Sequence, residues 1–359
     1  MSAILDYKCP NCGGAINFDA ASGQFKCASC DSTFAKEDLD KYAKMLDLAN
    51  EKSEYSWESA GTKEPLDGVN SYICNSCGAE LVLEETAAAS ECPYCGSPVV
   101  LAGQLSGMNK PDCVIPFCLT KDNAKESLKG FYKGKYLLPK EFKDENRLKE
   151  IQGIYVPFWL FDCDADANIV YDATTTRSWS DSSYNYTETK HYDVFRSGSL
   201  GFHDIPTDGS TKMDDAYMEG LEPFIYDSMQ PFDPAYLSGF AADKYDVDAT
   251  ASFPRAEKRV ETSTAEAFAD TVQGYETVTM KNTSIKTTNG SYKYALFPVW
   301  MLTSKYKDKS YTFAINGQTG KVSGELPINK LKLRLTKGAT FLVSMGILQL
   351  ILFWLGIIG

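Results

Sequence analysis

The sequence predicts a multidomain chain: two N-terminal zinc ribbons, an α+β body of duplicated helix-plus-antiparallel-strand units, and one C-terminal transmembrane helix. Three observations predict this. Eight of the eleven cysteines repeat one spacing, a Pro-x-Trp motif recurs 141 positions downstream, and 339–358 carry no charge. The expected boundaries are 1–37 for ribbon 1, 38–68 for a helical spacer and loop, and 69–104 for ribbon 2. The first repeat with its insertion follows at 111–250, the second at 251–329, a basic segment at 330–338 and the span at 339–358.

The ribbons come first. Cys9-x2-Cys12-x14-Cys27-x2-Cys30 is followed by Cys74-x2-Cys77-x14-Cys92-x2-Cys95. Four thiolates on two short knuckles satisfy the tetrahedral all-sulfur coordination that structural Zn²⁺ prefers, so the expected cofactor is two structural zinc ions. Gly13, Gly78 and Gly96 follow the second cysteine of three knuckles, where a positive φ lets backbone amides turn toward sulfur. Phe18, Phe25 and Phe34 at the first site, and Tyr72, Ile73 and Leu81 to Leu83 at the second, supply cover for a metal that replaces a core. Two matched pairs argue against a lone redox Cys-x2-Cys. The start, MSAILDYK, shows no secretory signal, and the expected compartment is reducing.

Charge separates the possible uses of the ribbons. The whole chain carries a net −12, and residues 1–110 hold 8 lysines, no arginine and 16 acidic residues. Each four-thiolate zinc site adds a formal −2. Phosphate binding needs clustered Lys or Arg to release counterions, so nucleic acid is a disfavoured partner and a protein-docking module or rigid spacer is the better expectation. The alternative, a membrane-tethered nucleic-acid-binding regulator, ranks second.

The segment 36–57 places Leu39, Tyr42, Ala43, Leu46 and Ala49 at helical spacing, expected as a solvated spacer helix. In the body, Tyr155-Val-Pro157-Phe-Trp159-Leu returns as Leu296-Phe-Pro298-Val-Trp300-Met, with helical patterns at 124–131 and 256–272 ahead of the two copies. Proline at a strand edge followed by a large aromatic reads as a packing device. The run Gly317-Gln-Thr-Gly320-Lys-Val322-Ser lacks the glycine spacing and hydroxyl residue of a phosphate loop and reads as a hairpin turn.

No catalytic set emerges, and the expectation is a protein without enzymatic activity or a small-molecule substrate. His191 and His203 are the only histidines, and neither falls in a nucleophile pattern. Asp204, Asp208, Asp214, Asp215 and Glu219 match no calcium loop and read as helix caps and a solvated face. Cys113, Cys118 and Cys163 read as buried core thiols. The Asn-x-Ser/Thr patterns at Asn185, Asn282 and Asn289 read as chance.

At 339–358 a helix would span roughly 30 Å at about 1.5 Å per residue, the thickness of a bilayer's hydrocarbon core. Lys330, Lys332, Arg334 and Lys337 precede it, placing the N-terminal flank in the cytoplasm by the positive-inside rule. The expected localisation is the cell membrane, single-pass, with the N-terminal domains cytoplasmic.

The Cys-Pro-x-Cys-Gly knuckles, Val156 to Asp162, Asp233 to Phe240, Phe297 to Leu302, Ile315 to Pro327 and the apolar C-terminal segment together resemble bacterial membrane proteins containing a TFIIB-type zinc ribbon. Some relatives carry a name borrowed from primosomal helicases, which a chain without a P-loop or basic face does not support. Others resemble partners of phage-shock coat proteins and SPFH-type, flotillin-like membrane scaffolds. The resemblance implies an envelope-stress adaptor that docks such proteins at the inner face of the bacterial membrane.

Overall fold

The computed structural model describes residues 7–354 apart from 21, 62–63, 67–68, 85–90, 98, 105–108, 140–141, 143–150 and 308. Its elements run β1 (Ile16–Asp19), β2 (Gln24–Cys27), β3 (Thr33–Phe34), α1 (Lys36–Asn50), β4 (Glu58–Ser59), β5 (Val69–Ile73), β6 (Glu80–Glu84), β7 (Val100–Gln104) and β8 (Cys113–Val114). Then come α2 (Lys121–Tyr132), β9 (Gln152–Ser180), β10 (Asn185–Asp208), α3 (Asp215–Glu219), β11 (Gln230–Pro231) and β12 (Ala241–Asp243). The chain continues with α4 (Ala249–Ala269), β13 (Thr277–Tyr306), β14 (Lys309–Asn316), β15 (Val322–Gly324) and α5 (Lys330–Trp354). They form two compact units, one from Met1–Ala60, Leu160–Thr207 and Ala249–Tyr292, the other from Gly61–Trp159, Asp208–Asp248 and Lys293–Gly359.

In the first unit, ribbon 1 builds its own antiparallel sheet, β1–β2–β3, pairing Phe18 with Phe25 and Phe25 with Phe34. The helix α1 is more than a solvated spacer: Leu39 and Ala49 are buried, and the Tyr42 hydroxyl donates to Asp193 Oδ2 at 2.7 Å. The helix α4 buries Ala249, Ser252, Ala256, Val260 and Thr264, a stripe at three-to-four spacing that keeps one face inward. Tyr171 on β9 donates to the Ala265 carbonyl at 2.6 Å, fixing the end of that helix. Along β9, Cys163, Ala165 and Ala167 are buried while Asp164 and Asp166 are exposed, the alternation of a strand wet on one face.

The second unit gathers ribbon 2 into a larger sheet. β6 pairs with β5 and with β12, and β12 runs parallel to β9, with Ala241 opposite Ile154. Here Ile154 to Phe158 are buried without alternation, as in a strand covered on both faces. The two copies of the echo meet: the rings of Phe158 and Phe297 stack at 4.4 Å. Trp159 and Trp300 are buried and satisfy their indole N–H groups on the carbonyls of Val247 (2.9 Å) and Leu119 (3.1 Å). Both tryptophans are thus packing residues with their polar ends satisfied. α2 starts at a capping box between Thr120 and Asn123 and packs Ala124, Leu128 and Tyr132 into one core with Phe313, Ile315 and Trp300. β14 and β15 form the expected hairpin, Ile315 opposite Val322.

The C-terminal expectation is corrected. Among the described residues no helix is long and apolar enough to cross a membrane. The Asn329 side chain accepts from the amides of Leu331 and Lys332, both at 3.1 Å, and so caps α5 ahead of its basic residues. Four cations therefore occupy the first turns, and the charge-free part within the helix, 338–354, rises only about 25 Å. Residues 355–358 of the expected span lie outside the described residues. A transmembrane helix, and with it the single-pass membrane placement, is not supported.

Candidate metal centres

Each knuckle is one turn repeated four times. The amides of Gly13, Gly78 and Gly96 return to the carbonyls of Cys9, Cys74 and Cys92 at 2.8 Å, with φ near +70°. The fourth knuckle puts Asp31 in the same left-handed conformation, φ 58°, its amide 3.2 Å from the Cys27 carbonyl. Aspartate tolerates that region better than most residues, which explains why the knuckle functions without glycine. The first cysteine of each knuckle then donates its own amide five residues on, Cys9 to Gly14, Cys27 to Ser32, Cys74 to Ala79 and Cys92 to Ser97, at 2.8 to 2.9 Å.

This geometry converges four sulfurs at each site. The Sγ atoms of Cys9, Cys12, Cys27 and Cys30 lie within 4.8 Å of one another, as do those of Cys74, Cys77, Cys92 and Cys95. Cys9 to Cys30 is 3.6 Å and Cys12 to Cys27 is 3.5 Å; Cys74 to Cys95 is 3.5 Å and Cys77 to Cys92 is 3.6 Å. A tetrahedron of Zn–S bonds of about 2.3 Å has S···S edges of about 3.8 Å, so both sets fit a four-coordinate ion. Cys27 and Cys30 in the first set and Cys95 in the second are predisposed to ionise. The Ser32 hydroxyl and amide bring Cys30 down to about 6. Cys95 is also brought down to about 6: burial opposes its ionisation, but the Ser97 hydroxyl and amide prevail. Burial pushes Cys92 far up, and a metal is what would hold all four as thiolates.

The two centres sit in different surroundings. In ribbon 2 the second of the two residues between the cysteines of its second knuckle, Tyr94, is buried and donates to Asp243 Oδ2 at 2.6 Å, while its carbonyl accepts from Thr303 Oγ1 at 2.6 Å. Ser210 donates to the same Asp243 oxygen at 2.5 Å. Ribbon 2 is thus held in its unit by this knuckle in addition to the β6–β12 pairing. Ribbon 1 instead lines a cleft of about 520 Å³, which its first knuckle shares with α1, β9, β10 and β13.

Other sequence-flagged residues fall outside these centres. Among the described residues only the two cysteine sets form groups able to hold a metal. Asp214 caps α3 by accepting from the Ala216 amide at 2.9 Å, as its place in the sequence implies. Cys113 and Cys163 are buried, but Cys118 is exposed, a correction to the core role expected for it. Its segment leaves β8 as an irregular stretch, so the strand that buries Cys113 ends before Cys118. Sequence reasoning missed Tyr94, Asp243 and Ser210. The available signal was the tyrosine inside Cys92-Pro-Tyr-Cys95, a bulky residue where a small one suffices.

No family model matches the chain, and no solved structure matches it. Over 329 residues it is 34% identical to the uncharacterized protein YdjG of Bacillus subtilis (strain 168), covering 92% of each chain. The chain belongs to the YdjG family. A match of that extent runs well beyond the two cysteine sets and through the greater part of the chain.

Proposed function

We propose that this member of the YdjG family is a non-enzymatic zinc-ribbon adaptor in which ribbon 2 stabilises the body and ribbon 1 docks a protein partner. The metal in both is Zn²⁺, bound by the eight cysteines 9, 12, 27, 30, 74, 77, 92 and 95. Zinc fits an all-thiolate set with no redox demand, and four protein ligands leave no open position for chemistry. The observation that carries the division of labour is the open cleft beside ribbon 1, against the buried Tyr94 to Asp243 hydrogen bond at ribbon 2. The acidic balance of residues 1–110 favours a protein over a nucleic acid. The resemblance to TFIIB-type zinc-ribbon proteins supplies the candidates, a phage-shock coat protein or an SPFH-type scaffold.

The test is capture of those two purified candidates by the zinc-loaded full chain and by its Cys27→Ser and Cys92→Ser variants. The adaptor assignment expects retention by the full chain and loss in Cys27→Ser. Retention of neither candidate, or equal retention by Cys27→Ser, would sink it.

A further inference from the structure

The cleft beside ribbon 1 has a floor that is already satisfied. Asp193 accepts from Tyr42 at 2.7 Å through one oxygen and from Lys281 at 2.9 Å through the other. Those bonds hold α1, β10 and β13 at fixed separation and leave Asp193 and Lys281 neutralising each other. Tyr42 is further held edge-on against Phe195, ring centroids 5.6 Å apart. The cleft is therefore preformed.

What remains for a ligand is a specific set of groups. Asp172 Oδ1 lies 3.2 Å from His191 Nδ1. A carboxylate accepts only, so this contact places the proton of the neutral imidazole on Nδ1 and leaves Nε2 as an acceptor. The His191 side chain is 62% exposed, so that acceptor is reachable. Tyr192 lines the same cleft with its ring braced against Tyr275, centroids 5.2 Å apart. An imidazole acceptor, a carboxylate and an aromatic ring are the partners of a cationic N–H donor. Charge points the same way. With Asp193 and Lys281 cancelled, Asp172 and Lys8 balance, and the loaded four-thiolate centre of Cys9 and Cys12 adds a formal −2 to the wall.

We propose that the cleft of ribbon 1 binds an arginine or lysine side chain of a basic peptide segment, held by Asp172, His191 and Tyr192. This names the partner class for the adaptor and rests on ribbon 1 being its docking head. With Lys281 paired to Asp193, Lys8 is the lining lysine that opposes a cation, and its removal tightens binding.

The test uses the zinc-loaded full chain and the fluorescein-labelled peptide Gly-Arg-Gly-Arg-Gly in an anisotropy titration at low salt, with Gly-Asp-Gly-Asp-Gly as counterpart. The arginine peptide binds and the aspartate peptide does not. Asp172→Asn weakens the arginine peptide at least fivefold, and Lys8→Ala tightens it about twofold, an improvement that a damaged fold does not produce. Zinc content of two ions per chain in each variant shows that the ribbons are intact. Equal affinity for the two peptides, or Asp172→Asn binding like the parent, overturns the proposal. If Cys27→Ser loses the candidate partner while Asp172→Asn keeps it, the cleft chemistry is wrong and the adaptor stands. If Asp172→Asn loses the peptide while Cys27→Ser keeps the partner, the cleft stands and the adaptor does not.

Discussion

Replacing Asp243 by asparagine tests how ribbon 2 is held, because the pH dependence of that one side chain can be worked from its surroundings. Asp243 ends β12 opposite Leu81 of β6 and is fully buried. Oδ2 accepts from Tyr94 and Ser210, whereas Oδ1 has no hydrogen-bond partner among the described residues. Burial pushes the carboxyl from 3.8 up to about 7, against the two hydroxyl donors; Asp246 reinforces the rise and Lys212 opposes it. The folded state therefore binds this proton more tightly than the unfolded chain. The associated stability is fully present below the unfolded value and is lost as pH rises toward 7. At about 1.4 kcal/mol per pKa unit, the loss between pH 5.5 and 8 is about 2 kcal/mol. Asp243→Asn keeps an acceptor for the hydroxyls, removes the titration and buries an amide N–H₂, which costs on the order of 1–3 kcal/mol. The variant is thus less stable than the parent at pH 5.5 and close to it at pH 8. Urea unfolding of both zinc-loaded proteins across that range measures the difference, in which pH effects on the zinc sites cancel. A parent-minus-variant gap that stays constant with pH would refute the reasoning.

Four further outcomes follow. Metal analysis of the full chain gives close to two Zn²⁺, and one ion or iron in their place would count against the paired centres. Cys92→Ser lowers the cooperative unfolding transition of the body, while Cys27→Ser releases one zinc and leaves that transition nearly in place; identical melting curves would contradict the asymmetry. Gly78→Ala destabilises ribbon 2 by about 1 kcal/mol from the positive φ alone, since a Cβ there meets nothing within 4 Å, and Asp31→Gly stabilises ribbon 1 by up to about 1 kcal/mol, both read from zinc competition. Phe297→Ala removes a buried ring stacked on Phe158 and costs roughly 3–5 kcal/mol by denaturant titration; a loss under 1 kcal/mol would mean the echo is not a packing core.

Local rules carried the parts of the molecule where one short segment decides the outcome. The cysteine spacing places each sulfur because the knuckle is a closed turn, and the helical pattern at 124–131 falls within α2. The long strands were harder to see. β9 begins buried on both faces at Ile154 to Phe158 and becomes alternating only at Cys163, so no single period describes its 29 residues. The apolar C-terminal stretch misled for a related reason. Hydropathy averages over residues without knowing where a helix starts, and the Asn329 cap draws Lys330 to Lys337 into α5. The Tyr94 to Asp243 contact joins residues 149 apart, so the unusual tyrosine is visible locally but its partner is not.

Two ribbons with one cysteine spacing acquire different surroundings through residues that the metal does not use. In the second knuckle of ribbon 2 the pair between the cysteines is Pro93-Tyr94, and the tyrosine reaches a buried carboxylate; in ribbon 1 it is Ala28-Ser29, which has no such reach. Without that anchor ribbon 1 keeps a separate three-stranded sheet, with Phe18 59% exposed, and its first knuckle faces an open cleft. A zinc site locked into a sheet can report only on folding. One that forms the wall of a cleft couples metal occupancy to whatever the cleft binds, because the same turn that holds Cys9 and Cys12 also shapes the lining. On the proposed adaptor reading, losing the metal at ribbon 1 would abolish recognition there before it threatened the body.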